Sequence, residues 1–193
     1  MNAYGRQLLT SVRFLLCATI LLGLAYPVLV FGIGQAVAPA QANGSIIRVA
    51  GAPAGSSLLA QPVTGTKFFY PRPSAVEWNP ATSSASNFGP NQPVLVKAIA
   101  ANRAEVAKRE DVAQSAVPID AVTAGGSGLD PDISQAYAAL QVPRVARESG
   151  LGEAKVKELV AANTSGGLNA FLGQPAVNTT TLNAALVRAM NTH

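Results

Sequence analysis

The densest cluster of residues able to do chemistry is Gly125-Gly126-Ser127-Gly128-Leu129-Asp130-Pro131-Asp132. Backbone amides of a glycine-rich turn that feeds a helix N-terminus can cradle a phosphate. Ser127 and Gly128 are therefore the nucleotide-contact candidates. No lysine follows the glycines, and Asp130 and Asp132 would repel a polyphosphate, so a strand-to-helix turn capped by an aspartate competes with that reading. Two carboxylates two positions apart can also hold a hydrated cation, although the full calcium-loop pattern is absent. Neither a Walker sequence nor a dinucleotide-binding glycine fingerprint occurs.

Other catalytic chemistry finds few residues to work with. The one histidine, His193, is the last residue, so neither a histidine-assisted nucleophile nor a multi-histidine metal site is available. A membrane-anchored hydrolase with lysine as base needs no histidine. Ser74, Ser83, Ser84, Ser86 and Ser127 are its possible nucleophiles and Lys67 or Lys97 its possible bases, but no motif pairs them. A glycosidase-like carboxylate pair from Glu77, Asp120, Asp130 or Asp132 depends on separation in space. No catalytic residue, metal site or firmly bound cofactor is assigned. Asn43-Gly44-Ser45 and Asn178-Thr179-Thr180 match glycosylation acceptors and are read as turn and cap residues.

The elements that must position these residues begin with Phe14 to Gly34, 21 residues without a charge. A helix needs roughly 20 to cross the hydrocarbon core. A cleaved export signal competes, with Ala36-Val37-Ala38 and Ala40-Gln41-Ala42 as cleavage sites. The length of the run, Pro27 and its glycines favour a permanent anchor. Arg6 and Arg13 precede the run and only Arg48 lies close behind, which predicts a cytoplasmic segment 1–13, a membrane helix 14–34 and an extracytoplasmic domain 35–193. The lone cysteine, Cys17, falls within the run, so the outer domain has no disulfide. Net charge is +4, and without Arg6 and Arg13 there are 12 basic against 10 acidic residues, too balanced for a nucleic-acid partner.

Residues 35–92 are rich in Gly, Pro, Ser, Asn and Ala, as in loops and short strands. From Pro93 to about Arg109 apolar and charged residues alternate as in an amphipathic helix with proline in its first turn. Val117–Thr123 reads as a strand entering the glycine loop, and Asp130-Pro131 as the start of a helix through Ala136 to Leu140. Pro143 is expected to restart a helix to Gly150, and Glu153–Ala162 and Thr181–Met190 to form the remaining helices, separated by Gly166-Gly167 and Gly173-Gln174-Pro175. The fold class expected is α+β: one transmembrane helix, then a single domain with a small antiparallel sheet built from early strands.

Tyr26-Pro27, Gln41-Ala42-Asn43-Gly44-Ser45, Arg72-Pro73-Ser74-Ala75 and Ser86-Asn87 follow one another in the first half. Val117-Pro118, Gly126-Ser127-Gly128-Leu129-Asp130, Gln141-Val142-Pro143-Arg144-Val145-Ala146 and Gly173-Gln174-Pro175 follow in the second. In this order and over nearly the whole chain, the blocks resemble the C subunit of the bacterial Kdp high-affinity potassium-transporting ATPase. Pro71 departs from the pattern, since glycine usually precedes Arg-Pro-Ser in that family. The resemblance implies a non-catalytic accessory subunit in the bacterial inner membrane. Its partners would be a potassium-channel-like A subunit, a P-type ATPase B subunit and a small single-span peptide, with ATP and potassium used by the complex. Two roles are implied: stabilising assembly and assisting at the channel entrance, or raising the ATP affinity of the pump subunit as a catalytic chaperone. Under the first role Gly23 is a helix-packing candidate, and Asn43, Arg72, Asp120, Asp130 and Asp132 are candidates for contact with a partner or with the ion entrance.

Overall fold

The N-terminal helix begins far ahead of the uncharged run. In the computed structural model, which describes residues 2–166 and 173–191, α1 (Ala3–Ile20) leads through one π-helical turn, Leu21–Ala25, into α2 (Tyr26–Val37). The helix therefore overruns the expected Phe14–Gly34 at both ends, by about three turns on the N-terminal side. The widened turn has a local cause. Pro27 has no N–H to give, and the Tyr26 N–H reaches back five residues to the Leu21 carbonyl. A short turn, α3 (Pro39–Ala42), closes this unit, which spans Met1–Ser45 and buries none of its described residues.

The second unit, Ile46–His193, opens with a hairpin of β1 (Ile46–Val49) and β2 (Ala52–Ser56). Val49 pairs with Ala52 across Ala50-Gly51, both at positive φ (50° and 81°), the geometry that matches the twist of two antiparallel strands. A long irregular stretch then leads to α4 (Pro93–Glu110), which starts on its proline as expected. Its first turn is not a core face: Val94 and Val96 are exposed, Ile99 packs partly buried against the core, and full burial begins at Val106.

Three expectations for the middle of the chain are corrected. Val117–Thr123 is not a strand; it forms a 3₁₀ turn at Ile119–Ala121 after another at Gln114–Ala116. Pro118 removes a ladder donor, and Asp120 is held by accepting from both the N–H (2.8 Å) and the hydroxyl (2.9 Å) of Ser134. Asp130-Pro131 does not open a helix: β3 (Asp132–Ser134) intervenes, and Ser134 caps α5 (Gln135–Ser149) by accepting from the Tyr137 N–H. Pro143 does not restart a helix but lies inside α5, where Gln141, Val142, Arg144 and Val145 around it are all buried. Packing on that scale outweighs the one hydrogen bond a proline forfeits.

Helix α6 (Glu153–Ala162) matches its expected bounds, β4 (Ala176–Asn178) follows, and α7 (Thr179–Met190) starts two residues early with Asn178 as its cap. Gly167 and His193 lie outside the described residues. β3 and β4 pair antiparallel, Ile133 opposite Val177, so among the described residues the small antiparallel pairing expected is present twice and the second sheet joins late segments. The core gathers Phe69 from the irregular stretch, Tyr137 and Val145 of α5, Val156 of α6 and Leu182 and Leu186 of α7.

Candidate functional site

The irregular segment 66–70 passes through the core without a strand partner, and side chains supply the missing ladder. Asn183 accepts from the Phe69 N–H (2.8 Å) and donates to the Phe69 carbonyl (2.9 Å). Gln141 does the same for Tyr70, at 2.8 and 3.1 Å. Arg144 adds donations to the carbonyls of Phe68 (2.9 Å) and Thr66. Buried backbone groups must find partners, and here two helices present amides where a strand would otherwise lie.

The same arginine organises a buried ionic network. Arg144 Nε meets Glu110 Oε2 at 2.8 Å with both side chains almost wholly enclosed, and Arg109 Nε meets Glu110 Oε1 at 2.9 Å. Tyr70 lies under both cations, its ring centroid 4.1 Å from the Arg109 guanidinium and 5.1 Å from that of Arg144. Arg109 also donates to the Tyr137 hydroxyl at 2.9 Å. Burial pushes the Tyr137 phenol up, with the Arg109 charge opposing it. Burial works against the Arg109 charge, and Tyr137 and Glu110 more than offset it, so its pKa stands above the usual arginine value.

A pocket of about 350 Å³ opens beside this network. Tyr70, Trp78, Glu77, Glu105, Arg109 and Tyr137 are among its walls. A second recess of about 350 Å³, more apolar, lies between the β1–β2 hairpin and α7, with Ile47, Val49, Phe68 and Val187 in its lining.

The glycine loop named by the sequence is packed from below. Ser74 Oγ donates to the Gly128 carbonyl (2.7 Å) while accepting from the N–H groups of Val76 and Trp78. The Ser127 carbonyl accepts from the Ser84 N–H (3.0 Å) and the Ser83 hydroxyl (3.2 Å), and the Ser127 hydroxyl accepts from the Leu129 N–H. The amides of Gly125 and Gly128 donate to the carbonyls of Pro73 and Gly125. Gly128 sits at φ 70°, and a Cβ there would stand 2.7 Å from Val76 Cγ2. Chemically the loop is a clamp: the amides of Gly125, Gly128 and Leu129 are spent within the protein, and the hydroxyls of Ser74, Ser83 and Ser127 hold backbone.

The structure brings three of the sequence-predicted residues together, Arg72, Asp130 and Asp132, and leaves Asp120 apart from them. Arg72 Nη1 lies 3.6 Å from Asp130 Oδ2, Asp130 accepts from the Asp132 N–H (3.0 Å), and Asp120 holds Ser134 at the far end of β3. Burial and the neighbouring Asp130 push the Asp132 carboxyl above its ordinary value, with the Asn178 hydrogen bond opposing. Gly23 and Asn43 belong to the other unit. Gly23 lies in the π-helical turn, where a Cβ would make ordinary contact with Thr19 Cγ2 at 3.8 Å, and Asn43 exchanges hydrogen bonds with Gln35 (2.9 and 3.3 Å) and donates to the Pro39 carbonyl. Among the described residues no three His, Cys, Asp or Glu side chains gather as a metal site needs.

Sequence reasoning passed over Gln141, Arg144 and Glu110 as working residues, quoting the first two only within a block. A signal was present: Tyr137, Gln141, Val145 and Ala138, Val142 fall at helical spacing, and Gln141 and Arg144 are polar residues on that apolar stripe. Polar side chains on a buried face must have partners.

The family profile described as the K+-transporting ATPase c chain, KdpC, matches residues 8–188. The chain is similar to the potassium-transporting ATPase KdpC subunit of Kineococcus radiotolerans, 47% identical over 183 residues, covering 94% of this chain and 93% of that one. The KdpC subunit of Xanthomonas oryzae is 46% identical over 170 residues, 88% of this chain and 81% of its own. That of Caldanaerobacter subterraneus is 40% identical over 190 residues, 98% of each.

Proposed function

This chain belongs to the KdpC family, the c chain of the K+-transporting ATPase, and is thereby a subunit of a potassium-transport complex; we propose that it is an accessory subunit without catalysis of its own. It would stabilise the assembly and assist at the channel entrance. The observation that carries this reading is the 35-residue helix Ala3–Val37, apolar enough to cross a membrane and with no part of its apolar window buried. Such a surface needs lipid and neighbouring helices to cover it. The small residues Ala18, Gly23 and Ala25 allow a close approach by one of them.

The partners in this reading are a potassium-channel-like A subunit, a P-type ATPase B subunit and a small single-span peptide. A domain tethered beside them gains from effective concentration: each contact becomes intramolecular once the anchor is in the same membrane patch. Arg6 and Arg13 favour a cytoplasmic N-terminus, so in this reading the helix crosses the bacterial inner membrane and residues 46–193 lie outside the cytoplasm. Asp120, Asp130 and Asp132 would then raise the local concentration of cations if they face the entrance. The glycine loop supports this role over a nucleotide one, because the amides of Gly125, Gly128 and Leu129 are already engaged within the protein and Asp130 and Asp132 beside them would repel a phosphate.

Transport and ATP hydrolysis by the complex, assembled with and without this chain, test the proposal. Loss of apparent potassium affinity and of complex yield, with the KM for ATP unchanged, is the expected result. A raised KM for ATP with potassium affinity intact would favour the ATP-affinity role. Covalent labelling of the chain by a serine-reactive phosphonate would overturn the absence of catalysis.

A further inference from the structure

The pocket beside the ionic network shares Tyr70, Arg109 and Tyr137 with it and adds the side chains of Trp78, Glu77 and Glu105. Trp78 and Tyr70 give it aromatic walls, and Glu77 and Glu105 bring two carboxylates to it. Arg109, the cation in its described lining, shares Glu110 with Arg144 (2.9 and 2.8 Å) and makes only a long 4.0 Å contact with Glu105, so two carboxylates of the lining stand against one guanidinium. The surplus charge of the pocket is therefore negative, in a unit whose overall charge is slightly positive. Glu77 and Trp78 are held at φ 53° and 56°, successive left-handed conformations that side chains other than glycine rarely adopt. Ser74 Oγ holds the turn by accepting from Val76 and Trp78, so the strain is built into the presentation of this wall.

The geometry points to this pocket as the receptor for an arginine side chain of a partner protein in the membrane complex. A guanidinium is planar and weakly hydrated: it stacks on an aromatic face while its N–H groups reach carboxylates, which is the pairing Trp78, Glu77 and Glu105 offer. The volume, about 350 Å³, suits a single long side chain and is at the small end of ligand pockets. The chain already stacks one guanidinium in this way, Arg109 on Tyr70, at the same wall. The assignment of a partner as the source rests on the subunit reading above; the chemistry of the pocket does not.

Trp78 is the only tryptophan of the chain, so its emission reports on this pocket alone. Full-length protein in detergent micelles is titrated with N-methylguanidinium chloride, against sodium chloride at equal ionic strength. A saturable change in Trp78 emission is expected with the first salt only. In the Glu77→Gln/Glu105→Gln variant binding should weaken at least about tenfold, some 1.4 kcal/mol, with the circular dichroism of the parent retained. Glu105→Gln alone, on an exposed part of α4, keeps the test open should the double variant misfold. A response that never saturates, that sodium chloride reproduces, or that the charge-neutral variants leave unchanged overturns the pocket. In the second arm, Glu77→Lys/Glu105→Lys should reduce co-purification with the complex; methylguanidinium binding with unaltered co-purification would overturn the partner's arginine as its occupant. Because the micelle titration involves no complex, its failure leaves the subunit reading standing.

Discussion

Between Met1 and Ser45 no described residue is buried, yet the backbone is almost continuously helical; between Ile46 and His193 long stretches have no regular structure, yet Phe69, Tyr137, Val145 and Leu182 are sealed from solvent. The first unit satisfies its backbone within the helix and leaves its side chains to the surroundings, as a chain must in lipid. The second satisfies its side chains first and lets backbone partners be improvised, as Gln141 and Asn183 do for Tyr70 and Phe69. Regular structure and packing are thus separable here, and mutations in the two units should fail in different ways.

The sharpest break is Arg144→Met. It removes the buried pair with Glu110 and the donations to Thr66, Phe68 and Gln141, and should cost about 3–5 kcal/mol in urea unfolding of the second unit while the N-terminal helix keeps its ellipticity. Gln141→Leu should cost about 1–3 kcal/mol, since the N–H and carbonyl of Tyr70 lose their partner. For Gly128→Ala the penalty is about 1–2 kcal/mol, read as a lowered denaturation midpoint; an unchanged midpoint would show that the clamp around Val76 yields freely.

Smaller still is the effect of Asp132. Its folded pKa is raised, so its favourable contribution is complete below the ordinary carboxylate value and fades as pH rises through the raised one. Stability of the parent should therefore decline relative to Asp132→Asn across that acidic window, and parallel pH profiles would refute the assignment. Gly23→Leu should leave the unfolding midpoint of the second unit untouched and lower recovery of the intact complex; an unchanged complex would remove Gly23 from the packing face.

What the sequence made legible follows the same division. The apolar run, α4 and α6 are local patterns; α4 and α6 stand close to where periodicity and proline put them, and the helix over the apolar run is present but extends beyond it at both ends. β3 was missed because its partner, β4, lies more than forty residues on, and Asp130-Pro131 offered a nearer and wrong helix start. Pro143 misled because its local preference is overruled by buried neighbours on both sides. Of the candidate residues, Arg72, Asp130 and Asp132 do lie together, whereas the Glu110–Arg144 pair joins positions 34 apart that no spacing rule connects.

The central claim is that the packed unit works outside the cytoplasm while the bare helix holds it in the membrane. Protease digestion of intact spheroplasts tests it most directly, followed on residues 46–193 with an antibody to that unit. The account predicts that the unit is cut before lysis and the membrane-embedded fragment survives. Full protection until the membrane is broken would place the unit on the ATP side and contradict the account.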